Sequence, residues 1–160
     1  MNMLPIKYCT RLAFGLITIL ALGLLSGCDD KDDINAIFSN KKWVAVYTAT
    51  TTDWNDDNKY EITKDFDTAT ENTTSYRVTT GTNTIQIKGV STTWTGKWTA
   101  NGSDRTFKIT NLTKTGGNGA SELEIRFLNY VATATYYRGD ENLVKLFQSD
   151  KKNYILLRAE

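Results

Sequence analysis

The amino-acid sequence predicts a mainly β domain: an eight-stranded antiparallel up-and-down barrel with a short N-terminal helix and one inserted helix. Three observations carry that expectation. Threonine is abundant from Thr48 to Thr135, and the chain has 4 tryptophans and 8 tyrosines, a composition that suits pleated, half-buried surface. The single proline is Pro5, so nothing beyond the first residues forbids a strand. Short alternating runs also recur between turn signals. Eight such runs suffice to close a small barrel, and closure removes unprotected sheet edges.

The N-terminal residues have a different character. Lys7 and Arg11 form a short positive region, and Leu12 to Leu25 is an uncharged apolar run. That run is shorter than the ~20 apolar residues needed to cross a bilayer, but it suits a secretory signal. It ends in Leu25-Ser26-Gly27-Cys28, which resembles the lipobox of bacterial lipoproteins. The resemblance implies cleavage between Gly27 and Cys28 and a diacylglyceryl group on the Cys28 thiol. The expected organisation is therefore a signal peptide over 1–27, an acidic tether over 28–33 and a β-barrel domain over 34–160. The tether, Cys28-Asp29-Asp30-Lys31-Asp32-Asp33, is self-repelling by charge. It also resembles the acidic export signal of Bacteroidetes lipoproteins. That likeness implies attachment to the outer membrane through the lipid, on the cell surface rather than the periplasmic side.

Composition narrows the chemistry. Removing residues 1–27 takes away two basic residues and no acid, leaving a chain near neutrality with no reason to expect nucleic acid as a partner. There is no histidine, Cys9 lies in the signal, and Cys28 is the only other cysteine. Zinc sites of Cys/His type and Ser-His-Asp or Cys-His nucleophilic systems are thereby excluded. No carboxylates form a recognisable catalytic set, so neither an enzyme nor a cofactor is expected. Asp53, Asp56 and Asp57 invite a calcium reading, but the central glycine and distal glutamate of an EF-hand loop are missing.

Taken in order, residues Asp33 to Ser39 read as one or two helical turns with Ile34, Ile37 and Phe38 on one face, ended by Asn40. A strand runs from Trp43 to about Thr50. Residues 51 to 72 have no clean period and read as a polar loop around Trp54, with Tyr60, Ile62 and Phe66 as a lid. Four strands in hairpins follow from Thr74, turning at Gly81-Thr82-Asn83, at Lys88-Gly89-Val90-Ser91 and at Asn101-Gly102, the strongest hairpin signal in the chain. Trp94, Gly96 and Trp98 share one face of the second of these hairpins. Ala120 to Ala132 fits either a strand or a helix. Ser121 as N-cap, with Glu122 and Glu124 in the first turn, makes helix the better supported. Three strands close the chain, over about 133–138, 143–148 and 154–158.

The segment Gly89 to Gly102, the passage from Phe38 to Trp43, the Arg138-Gly139-Asp140 turn and the Tyr154 to Arg158 ending together resemble small calycin-like (lipocalin-like) lipoproteins of Bacteroidetes. One departure is Lys41, where calycins usually carry a glycine two residues before the tryptophan. The resemblance implies a barrel and no particular activity. It implies pairing of the last strand with the first, and Arg158 stacked on Trp43 where the barrel closes. Tyr76, Trp94, Trp98, Phe107 and Tyr136 are the side chains expected to line either a ligand cavity or a filled core. The ligand would be a small apolar molecule or a glycan. The alternative is an inhibitor, immunity factor or accessory subunit that meets an envelope protein through loops such as Asp53–Asn58. Asp67-Thr68-Ala69 matches a three-residue O-glycosylation pattern, with Thr68 as acceptor.

Overall fold

A computed structural model describes residues 32–66 and 75–160; Cys28 and Thr68 lie outside the described residues. The order is α1 (Ile34–Phe38), β1 (Lys42–Thr51), β2 (Tyr60–Asp65), β3 (Arg77–Thr80), β4 (Thr84–Lys88), β5 (Thr92–Asn101), β6 (Thr106–Gly116), α2 (Glu122–Ala132), β7 (Tyr136–Gly139), β8 (Leu143–Phe147) and β9 (Asn153–Ala159). All strands belong to one antiparallel sheet, and β9 returns to pair with β1. The ring β1-β3-β4-β5-β6-β7-β8-β9 has eight strands, as expected.

The ninth strand, β2, is the main departure. The stretch read as a lid folds back on the second half of β1, pairing Tyr47 with Asp65 through Thr51 with Tyr60. β1 thus uses one edge for β9 along its length and divides the other between β3 and β2. Tyr60 and Ile62 are exposed, and only Phe66, just past the strand, is buried. The Asn101-Gly102 signal also works differently from a two-residue hairpin. The link from β5 to β6 is longer, and its left-handed residue is Arg105, with φ 54°. Asn101 and Asp104 side chains accept the N–H groups of Ser103 and Thr106, at 2.9 and 3.1 Å.

The helices close opposite ends of the ring. Asp33 caps α1, its carboxylate accepting the N–H groups of Asn35 and Ala36 at 3.0 and 3.1 Å, and Asn40 stops it with φ 55°. Asp32 accepts the Tyr137 hydroxyl at 2.9 Å and pairs with Arg105 at 3.2 Å. The last two acids of the expected tether are therefore fixed parts of the domain. Phe38 enters the ring from α1 and meets Trp98, Phe107 and Tyr137, at centroid separations of 5.5, 5.0 and 5.0 Å. At the other end, α2 inserts Phe127 against Tyr76 and Phe66, at 5.5 and 6.0 Å.

Residues 122–132 are helical because strand alternation would put Ile125 inside and Glu124 outside. The reverse is seen: Ile125 is 49% exposed and Glu124 is 1% exposed. Ser121 caps this helix, as expected, by accepting the Glu124 N–H at 3.2 Å. The Glu124 carboxylate accepts three hydrogen bonds from the β4–β5 turn: the N–H groups of Ser91 and Thr92 at 2.9 and 2.7 Å, and the Ser91 hydroxyl at 3.0 Å. Gly89 is required beneath it, because a Cβ there would lie 2.3 Å from the carboxylate.

Candidate functional site

The interior of the ring is packed with its own side chains. Tyr76, Trp98 and Phe107 are buried in the inner cluster, and Trp94 lies half-buried against it. These four therefore belong to the core, the second of the two roles left open for them. Tyr136 is the exception and points outward. It sits opposite Phe147 in the β7–β8 register, whereas Tyr137 and Leu146 are the inward pair.

The Arg158 stack fails for the same kind of reason. β9 does lie beside β1, but Arg158 is opposite Val44, while Trp43 is opposite Ala159. Directly paired residues share a face, and successive residues alternate. Trp43 thus belongs to the buried inner face and Arg158 to the exposed outer one.

Outside the ring lies a second apolar cluster. Ala49, Phe147 and Tyr154 are buried there, flanked by Tyr47, Trp54, Tyr136 and Leu156. The loop between β1 and β2 covers it. Trp54 packs 4.6 Å from Phe147 and 5.8 Å from Tyr136, and the Lys151 ammonium rests over the half-buried rings of Trp54 and Tyr136 at 4.9 and 4.3 Å. Thr51 holds the base of the loop, its hydroxyl meeting the carbonyls of Asp53 and Lys59.

Beside this cover is an open groove of about 490 Å³, within the range typical of small-molecule sites. Tyr47 and Tyr60 form one side as a parallel stack, 5.7 Å between centroids and 5° between planes. Leu143 and Leu156 add apolar surface. Arg138 and Lys145 are directly opposed on β7 and β8, an arrangement that is unfavourable for like charges unless something lies between them. Asp57 lies between them. Its Oδ2 accepts from Arg138 Nη2 at 3.1 Å and its Oδ1 from the Lys145 ammonium. Arg138 Nη1 also donates to the Trp54 carbonyl.

The electrostatics follow from that clamp. The Lys145 ammonium beside Asp57, helped by Arg138, holds its carboxyl below the usual carboxylate range, against the opposing effects of partial burial and of Asp56. Burial pushes the Tyr47 hydroxyl well above its ordinary value, helped by Tyr154 and Tyr60 alongside it. Other charged groups at the groove are committed elsewhere. Asp140 accepts the N–H groups of Asn142 and Leu143 in its own turn, and Arg105 pairs with Asp32.

Asp53, Asp56 and Asp57 do not converge. Asp53 accepts the Asn55 N–H, and Asp56 accepts the Asn58 N–H and pairs with Lys59 at 3.2 Å, while Asp57 faces the cations. A second depression, of about 570 Å³ on the wall of β3 to β6, is lined by five threonines with mostly small and polar residues between them, and Lys97 is the one charged residue among those described. It lacks the aromatic and ionic convergence of the first.

Sequence reasoning pointed to the 53–58 loop and missed its partners. Tyr47, Arg138 and Lys145 come together only through strand register, which the sequence does not display. The available signal was Tyr47 and Tyr154 in strands whose other face already carried the core.

A small closed β-barrel with an open groove on its outer wall is the class that the fold and site define. The chain belongs to the family described as domain of unknown function (DUF4847), whose model matches residues 29–159. Among solved structures it is similar to a DUF4847 family protein from Bacteroides vulgatus ATCC 8482. The two are 23% identical, with 78% of this chain and 96% of that chain covered and a TM-score of 0.61. This likeness speaks for the fold. No curated protein matches.

Proposed function

We propose that the protein is a lipid-anchored, non-enzymatic binding module of the bacterial cell envelope, and that it engages its ligand at the outer groove between the β1–β2 loop and strands β7 to β9. The observation that carries this is the convergence of Tyr47, Tyr60, Arg138 and Lys145 on one open groove while the ring interior is filled by side chains. The Leu25–Cys28 motif supports the anchor, and the acidic run from Asp29 supports display at the cell surface. Entry of α1 into β1 near Trp43 and pairing of β9 with β1 favour kinship with calycins.

A second reading uses the same residues. The 53–58 loop forms one side of the groove, so an inhibitor or accessory subunit would present that loop to an envelope protein. Two measurements test the proposal. Cys28→Ala is expected to accumulate uncut precursor and lose labelling by an alkyne fatty acid; undiminished labelling overturns the anchor. NMR screening of small-molecule fragments is expected to perturb amides of the groove, and perturbations confined to another face overturn its assignment as the binding site.

A further inference from the structure

We infer that the groove is a carboxylate-recognition site, with Asp57 acting as a built-in competitor seated where a ligand carboxylate would bind. The ligand class is a small organic acid with a ring or apolar face, such as a uronic acid. This deepens the groove reading and rests on it.

Three features lead there. First, the Asp57 clamp has carboxylate geometry: each oxygen faces a different cation, Arg138 on one side and Lys145 on the other. Second, the cations are built in and the anion is not. The side chains of Arg138 and Lys145 are 19% and 17% exposed, on adjacent strands of the ring, whereas that of Asp57 is 62% exposed, on a loop. Two charges opposed across a ladder need a counter-anion, and nothing in the fold requires it to be Asp57. Third, Asp57 is free to swing out while the loop stays. The loop is held by Trp54 on Phe147, by Arg138 Nη1 on the Trp54 carbonyl, and by the Thr51 hydroxyl on Lys59, none of which involves the Asp57 side chain.

The remaining surfaces define the rest of the ligand. The exposed side of Tyr60, 44% accessible, and the Leu143 side chain, 46% accessible, border the same groove. They offer flat and apolar surface for a ring. Arg138 would give a ligand carboxylate the charge-assisted hydrogen bond it now gives Asp57, and Lys145 the ionic partner. An internal competitor lowers apparent affinity by the fraction of time it holds the seat, so removing it should raise affinity by roughly three- to tenfold.

The test is a titration of the full chain in detergent micelles with sodium D-glucuronate, D-glucose serving as the neutral control, read by backbone amide shifts. Glucuronate is expected to give saturable shifts around Asp57, Tyr60, Arg138 and Lys145, and glucose none. Asp57→Asn should bind glucuronate about three- to tenfold tighter, and Lys145→Met should lose the response. Equal binding of both sugars overturns carboxylate recognition and leaves the groove as a binding site. Unchanged or weaker binding by Asp57→Asn overturns the competitor role. Silence from glucuronate in both wild type and Asp57→Asn overturns the inference, and the fragment screen then judges the groove separately.

Discussion

The two apolar clusters, one inside the ring and one on its wall, are built by different means. The inner cluster comes from strand alternation plus two plugs, with Phe38 at one end and Phe127 at the other. Every strand of the ring contributes, and closure does the rest. The outer cluster is local to β1, β7, β8 and β9 and is finished by an irregular loop carrying Trp54. Its rim is ionic, with Asp57 set between Arg138 and Lys145. The inner cluster therefore runs through the whole fold, while the outer one rests on a loop and an ionic rim. Burial by a whole barrel is lost only on global unfolding, but a loop cover opens locally at lower cost.

The largest expected effect tests the inner side. Phe127 is fully buried among Tyr76 and Phe66. Phe127→Ala should cost about 3–5 kcal/mol through lost burial and the residual cavity, read as a lower urea midpoint. A loss below about 1 kcal/mol would mean that α2 is a loosely seated lid rather than part of the core.

Glu124 tests how the plug is fastened. Glu124→Ala would leave the N–H groups of Ser91 and Thr92 and the Ser91 hydroxyl without their acceptor, at a cost of about 2–3 kcal/mol. Glu124→Gln keeps the oxygen that takes both N–H groups, so it should cost less than half as much in the same urea titration. Equal losses would show that the charge, not hydrogen-bond geometry, secures the helix.

On the outer side, Trp54→Ala should cost about 1–2 kcal/mol, because Trp54 is only half-buried and its partners Phe147 and Tyr136 keep their places in the ring. Hydrogen exchange should rise in residues 52–65 and stay unchanged in β3 to β6. Uniform acceleration would mean that the outer cluster supports the whole barrel, and the contrast between the clusters would fall.

This contrast also explains what could be read from the sequence. Ile85 and Ile87, Trp94 and Trp98, and Phe107 and Ile109 alternate, so the strands that bear them and the ring they close were legible. Ser121 and Asn40 act locally, so α2's start and α1's stop were too. Tyr60 and Ile62 were misread as a lid because β2 has no inward face, all six of its residues being exposed. It is a strand only because β1 offers a free edge there. Arg158 was misplaced because the bulge in β1 between Ala45 and Tyr47 and the register beyond it decide which residue faces Trp43. A single slip exchanges the two faces of a strand. The groove was the least legible part, since it joins the 53–58 loop to residues some 80 positions away.

The smallest effect bears on the ionic rim alone. Asp57 has its folded pKa below the unfolded value, so its contribution to stability is present above the ordinary carboxylate pKa of ~3.9 and is lost as pH falls through the folded value. Because the carboxylate is largely exposed, that contribution should stay within the roughly 0.2–1 kcal/mol of surface pairs. Asp57→Asn should therefore unfold slightly earlier than wild type in urea at neutral pH. The gap should begin to shrink below about pH 4 and be lost as pH falls through the lower folded value, and it should narrow in molar salt, where exposed charges are screened. A gap that stays constant from pH 7 to pH 3 would mean that Asp57 acts on stability through loop packing. The Arg138–Lys145 pair would then need no anion, and the rim would be as fixed as the core.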